Sequence, residues 1–273
     1  MYYNRIDVKR TILSFANPCG SNEFRECAIF NKHIKSLQRY VNNCDEKYPI
    51  ILNTPSAITH AVSQGASAFY CSYWRYDGLD FDKPIGRDLV WTLRTKHGGL
   101  GFVKHIAALV VKAFEDIGIV PWVKYSGDLG FDLIIPLDTI PHELWMGQLD
   151  VLDDLQKELT DSIVSQMYKY SHNIEIKNKG ASIEIIQEGK TCLLSELRAR
   201  RGLLLAPMSL NPETGLVSVP VDPKRINSFS ILDASPSNVK SFDWEFGSAP
   251  MSAQIGYPHS WRIRPLEAKP AEV

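Results

Sequence analysis

Apolar and polar positions are most informative between residues 87 and 137. Across Arg87-Asp88-Leu89-Val90-Trp91-Thr92-Leu93-Arg94 an apolar run is interrupted at Thr92 and Arg94, two residues apart and therefore on one face of a strand. His97-Gly98-Gly99 breaks that strand. Val103, Ile106, Ala107, Val110, Phe114 and Ile117 then recur at the spacing of one helical face, and Gly118 stands where a left-handed cap ends such a helix. Extended structure resumes at residues 122–125 and turns through Ser126-Gly127-Asp128-Leu129-Gly130. It returns as a strand over 131–137, with Asp132 and Ile134 on one face and Phe131, Leu133 and Ile135 on the other. The pattern predicts strand, crossover helix, strand, tight turn, strand.

Outside this unit the pattern is weaker. Residues 2–16 read as a short helix, and Pro141 suits the first turn of another. Leu152, Leu155, Leu159, Ile163 and Met167 carry one apolar face to about Tyr170, with Asp150, Asp153, Asp154, Glu158 and Asp161 as its wet side. Residues 173–179 are polar, 181–186 predict a strand, and Gly189-Lys190 a turn. Phe242, Trp244 and Phe246 are expected to pack against something, and 265–273 to fray.

With 273 residues, 44% hydrophobic and 22% charged, the chain can bury its own core. A formal net charge of −1 gives no global basic field, so any nucleic-acid contact has to come from a local patch. No apolar run approaches the ~18 residues of a membrane span, and the N-terminus lacks an apolar signal region, which predicts a cytoplasmic protein. Cys19, Cys27, Cys44, Cys71 and Cys192 include no Cys-x-x-Cys pair and read as free thiols. Cys19, Cys27, His33 and Cys44 match no standard zinc spacing.

The central unit resembles the archaeo-eukaryotic primase superfamily, in particular the small-subunit-like DNA primases of archaea. Those proteins carry Asp-x-Asp on the first strand, a Ser-Gly-x-x-Gly-aromatic-His turn, and a further Asp later. Here Thr92 and Arg94 stand at the paired acids and Asp132 at the histidine, while Ser126, Gly127 and Gly130 keep the turn. The most specific match is the stretch from Arg198 to Val221, containing Pro207-Met208-Ser209-Leu210-Asn211-Pro212-Glu213-Thr214-Gly215-Leu216. It is similar to the family's Ser-Leu-His/Asn-x-Lys-Thr-Gly-Leu segment, with Leu205 where the family has a phosphate-contacting arginine. Segments at Tyr48-Pro49, Thr54-Pro55 and Gly65 to Ser72 extend the likeness, and in Ser72-Tyr73-Trp74-Arg75-Tyr76 an expected acid is missing. The third catalytic acid falls near Cys192 to Ser195, where none stands; Glu196 is nearest and Glu184 next.

The resemblance implies an α/β (α+β) primase catalytic-core, RRM-like fold with mixed sheets flanked by helices. It divides the chain into residues 1–86, an RRM-like module at 87–240 and a tail at 241–273. It also implies phosphate-binding roles for Ser126, Gly127, Gly130, Ser209 and Asn211. In the family, clustered carboxylates hold two divalent ions that align a triphosphate. Threonine is a weak ligand and an arginine's fixed charge opposes a cation, so no metal or other cofactor is expected. Arg94 and Asp132 are instead expected to pair. Asp80-Phe81-Asp82 imitates the lost motif but lies in a Gly- and Pro-rich loop with no strand to fix it. Arg198, Arg200 and Arg201 form the one dense basic cluster, a candidate for nucleic-acid contact and equally a solvated loop. The expectation is a catalytically inactive primase-like subunit in DNA replication or repair, which binds single-stranded DNA, a catalytic primase or another replication protein. The alternatives are an active primase/polymerase with relocated acids, which alone would need a divalent metal, and a purely structural partner.

Overall fold

The computed structural model describes residues 2–17, 23–43, 46–171, 173–180, 182–240, 242 and 244. The chain opens with α1 (Ile6–Ala16), β1 (Glu23–Phe24), β2 (Cys27–Asn31), β3 (Ser36–Gln38) and the hairpin β4 (Tyr40–Asn43) and β5 (Glu46–Pro49). Next come α2 (Pro55–Ser63), β6 (Ala66–Ser72), β7 (Trp74–Asp77) and β8 (Pro84–Arg87). The central unit is β9 (Leu89–His97), α3 (Gly99–Asp116), β10 (Trp122–Tyr125) and β11 (Gly130–Ile135). It is followed by α4 (His142–Trp145), α5 (Leu149–Tyr170), β12 (Glu175–Asn178), β13 (Ser182–Gln187), β14 (Lys190–Leu197), β15 (Leu203–Leu205) and β16 (Pro220–Val221).

The main sheet has seven strands in the order β12-β13-β14-β9-β11-β10-β16, antiparallel at every junction. β9 and β10 each run antiparallel to β11 between them, so α3 is the crossover that returns the chain parallel to β9. α3 and α5 cover one face. Trp91 joins them there: its ring meets Phe114 edge-on at 5.1 Å and its Nε1 donates to Thr160 Oγ1 at 2.8 Å. The expected apolar stripe Leu152, Leu155, Leu159, Ile163 and Met167 is buried, and Gly118 takes φ +79° at the end of α3. A three-stranded sheet, β1-β7-β8, is built from the N-terminal part, and a four-stranded one, β15-β6-β2-β3, adds the late strand β15 to it. Apolar side chains from Tyr3 to Val239 form one continuous cluster.

Several boundaries differ from the sequence reading: the strand read over 131–137 ends at Ile135, and Pro84–Arg87, at the end of the stretch read as a loop with no strand to fix it, forms β8 and pairs with β7. β9 starts at Leu89, because Asp88 is drawn out of the ladder by charge. Its buried carboxylate accepts from Arg25 Nη2 at 2.6 Å, Arg75 Nη2 at 2.9 Å and the Leu137 amide at 3.0 Å. Arg75 also reaches Asp138 at 2.8 Å and Glu23 at 3.0 Å. Residues 175–178, within the stretch read as merely polar, pair with β13 as the sheet's outer strand. An edge strand draws its stability from one ladder and profits from charges that discourage further pairing, so its polarity hides it from pattern reading. The tail at 265–273 lies outside the described residues, as do Cys19, Cys44 and Phe246.

Candidate functional site

The sheet face away from α3 and α5 carries the positions singled out by sequence. In the ladder Asp132 is opposite Thr92 and Gly130 opposite Arg94, so the expected pairing of Arg94 with Asp132 is within reach. It forms: Arg94 Nη2 lies 2.5 Å from Asp132 Oδ1, while Arg94 Nη1 donates to the carbonyls of Leu93 and Phe131 at 2.9 Å each. Gly130 makes room for this. A Cβ there would sit 2.3 Å from the Leu93 carbonyl and 2.7 Å from the Arg94 side chain.

The pair is half of a larger network. Lys124, directly across β10–β11 from Asp132, is fully buried and places Nζ 2.5 Å from Asp132 Oδ2 and 3.1 Å from Ser218 Oγ. One carboxylate therefore serves two cations, and Asp128 in the neighbouring turn acts on both of them from further away. Burial works against the Asp132 charge, but Arg94 and Lys124 prevail and its pKa lies below the ordinary carboxylate value. Burial lowers Lys124, with Asp132 opposing, whereas for Arg94 the pull of Asp132 and Asp128 outweighs burial and raises it. Lys124 was not anticipated. The signal was present, since a five-residue turn at 126–130 puts residue 124 across from 132.

The third acid position is settled by register. Ser195 of β14 lies opposite Thr92 and Leu193 opposite Arg94. Glu196, the nearest acid in sequence, points to the helix-covered side, where it bonds Thr160 and Arg198. Glu184 lies on the correct face but one strand further out, across from Leu193 and 3.8 Å from Lys96. Asp80 and Asp82 occupy an exposed turn, with Asp80 Oδ2 3.4 Å from Lys83. Among the described residues no group of three or more His, Cys, Asp or Glu side chains is placed to hold a metal ion. The two divalent ions implied by the resemblance do not fit this donor set, because the central carboxylate is already neutralised by an ammonium and a guanidinium.

The turn and the 209–216 segment meet, but their polar atoms are engaged with each other. Ser126 Oγ donates to the Gly130 carbonyl at 3.0 Å and contacts Asp128; Thr214 Oγ1 donates to the Gly127 carbonyl at 2.5 Å. Gly127 has φ +85°, and a Cβ there would be 2.8 Å from Asn211 Cβ and 3.5 Å from Leu205 Cδ2, which puts Leu205 beside the turn. Asn211 Oδ1 accepts from the amides of Glu213 and Thr214 at 2.9 and 3.2 Å. Ser209 Oγ is buried and accepts from the Phe69 amide at 2.8 Å. The basic cluster lies elsewhere: Arg201 pairs with Glu26 and bonds Tyr40, Arg198 pairs with Glu196, and Arg200 is exposed with its guanidinium 5.4 Å from the Trp74 ring. Cys27, Cys71 and Cys192 are free and buried, and His33 is exposed. From the C-terminal aromatic group, Trp244 stacks on Trp122 at 4.8 Å.

No family model matches this sequence, and no curated protein does. Solved structures do: the polymerase domain of Mycobacterium tuberculosis Ligase D in complex with DNA is similar with a TM-score of 0.56 and 16% identity, covering 83% of this chain and 80% of that one. The chain therefore has a mixed α+β fold of the polymerase and primase type.

Proposed function

We propose that this chain is a non-catalytic, primase-like protein that acts by binding single-stranded nucleic acid in replication or repair, alone or beside a catalytic primase. The observation that carries this reading is the Arg94–Asp132–Lys124 network, in which Arg94 stands where the resemblance expects a metal-binding acid and Asp132 where it expects a histidine. Nucleotidyl transfer needs carboxylates with free lone pairs for two cations. Here Thr92, Ser195 and Leu193 supply none, and both oxygens of Asp132 are engaged by cations. The two cations at the centre of the site oppose a divalent metal, and Arg94, the partly exposed one, suits a phosphate better. Arg200, which has no ion pair among the described residues, is a further candidate contact.

Two assays on the purified protein test this. Labelled single-stranded DNA should bind with an affinity that falls as salt rises, by about 0.7 in the log-log slope for each phosphate contacted. Template-directed synthesis with manganese or magnesium should not exceed that of a Thr92→Ala/Arg94→Ala variant. Extension above that control would establish the relocated-acid enzyme instead, and no binding even at low salt would leave only a structural role.

A further inference from the structure

Cys27 and Cys71 are direct partners across β2 and β6, with Sγ atoms 3.9 Å apart. Their place in the ladder follows from the adjacent hydrogen bond. The Ser72 amide donates to the Glu26 carbonyl at 2.8 Å, which makes 26 and 72 a hydrogen-bonded pair. Antiparallel ladders alternate, so 27 and 71 form the narrow, non-hydrogen-bonded kind, with Cα atoms ~4.5 Å apart. Disulfides span Cα separations of ~4.4–6.8 Å, so this pair falls at the short end of the bridgeable range. We propose that Cys27 and Cys71 are a site of oxidative modification, at which a small peroxide joins β2 to β6 through a reversible cross-strand disulfide.

The hydrogen bonds assign the roles. Cys27 Sγ donates to the Arg25 carbonyl at 3.4 Å, so in the contact between the two thiols Cys71 donates to the Cys27 sulfur. That hydrogen bond and burial hold the Cys71 pKa well above the free-thiol value, and Cys27 is the one of the two with any exposure, so its sulfur attacks the peroxide first. The Cys27 sulfur takes one oxygen from hydrogen peroxide to give a sulfenic acid and releases one water. The Cys71 sulfur then displaces that oxygen, which leaves as a second water carrying the Cys71 proton. Two thiols are oxidised and one peroxide is reduced. The oxidant has to be this small, because Cys27 is 3% exposed and Cys71 not at all. The bond would stiffen β6, which pairs on its other side with β15 and whose Phe69 amide holds Ser209.

The test treats the native wild-type chain with hydrogen peroxide, alkylates it with N-ethylmaleimide after unfolding, and digests it with trypsin. The expected product is peptide 26–32 joined to peptide 48–75, two hydrogens lighter than the sum of the two and separated by dithiothreitol. The bridged protein should melt ~5–10 °C higher than the reduced one. A Cys71→Ser variant, checked for an unchanged circular dichroism spectrum, should instead give a dimedone adduct on Cys27 when it is unfolded in dimedone after the peroxide treatment. Both cysteines alkylated after peroxide, sulfinic acid at Cys27 of the wild type, or Cys27 joined to Cys19 or Cys44 would each overturn the assignment.

Discussion

Loss of Asp132 should be costly, because Lys124 behind it is wholly buried and has no other carboxylate in contact among the described residues. Removing one partner of a buried pair costs ~3–5 kcal/mol, since the remaining charge is stranded. Asp132→Ala should therefore destabilise by about that amount in urea unfolding, with Arg94→Leu well below it because Lys124 keeps its partner. A two-residue account would make Arg94→Leu/Asp132→Leu nearly neutral. The network predicts otherwise: that double variant still strands Lys124, and only adding Lys124→Met should recover most of the loss. Acid should expose the same carboxylates. Asp132 and Asp88 both have folded-state pKa values below the ordinary one, so their contribution is complete above the unfolded value of about 3.9 and is lost as pH falls below it. The melting temperature should hold from neutrality to about pH 4 and then drop. Asp132→Asn should start lower and drop less.

At the scale of elements, the strand–helix–strand–turn–strand unit was legible because its periods switch cleanly and its turns are marked by glycine. Gly130 and Gly101 separate two roles for that residue. Gly130→Ala would drive a Cβ into the Leu93 carbonyl and Arg94, and should destabilise by ~1–3 kcal/mol through overpacking. Gly101, inside α3, has nothing within 4 Å of the added Cβ, so Gly101→Ala should stabilise by ~0.5–1 kcal/mol. Equal effects in chemical denaturation would contradict that contrast. What pattern reading missed has physical causes. β12 is a polar edge strand, and Asp88 leaves its ladder because Arg25 and Arg75 approach it across 63 and 13 residues of sequence. Ser209 and Asn211 read as phosphate ligands by resemblance, yet one is a buried clasp on β6 and the other closes its own turn. Residue type alone does not reveal which hydrogen bonds are already made.

For the molecule as a whole, the fold is of the polymerase and primase type, and a fold constrains chemistry only through the side chains it presents. Thr92, Arg94, Ser195 and Asp132 share one sheet face, so restoring any single acid would still leave Lys124 and the missing carboxylates to oppose a metal. A manganese titration followed by electron paramagnetic resonance tests this most directly, because free aqueous manganese gives a strong signal that binding attenuates. The signal of manganese mixed with equimolar wild-type protein is predicted to match that of the same manganese in buffer without protein, and Arg94→Asp should leave it unchanged. Attenuation by the wild type that disappears in Asp132→Ala would contradict the account.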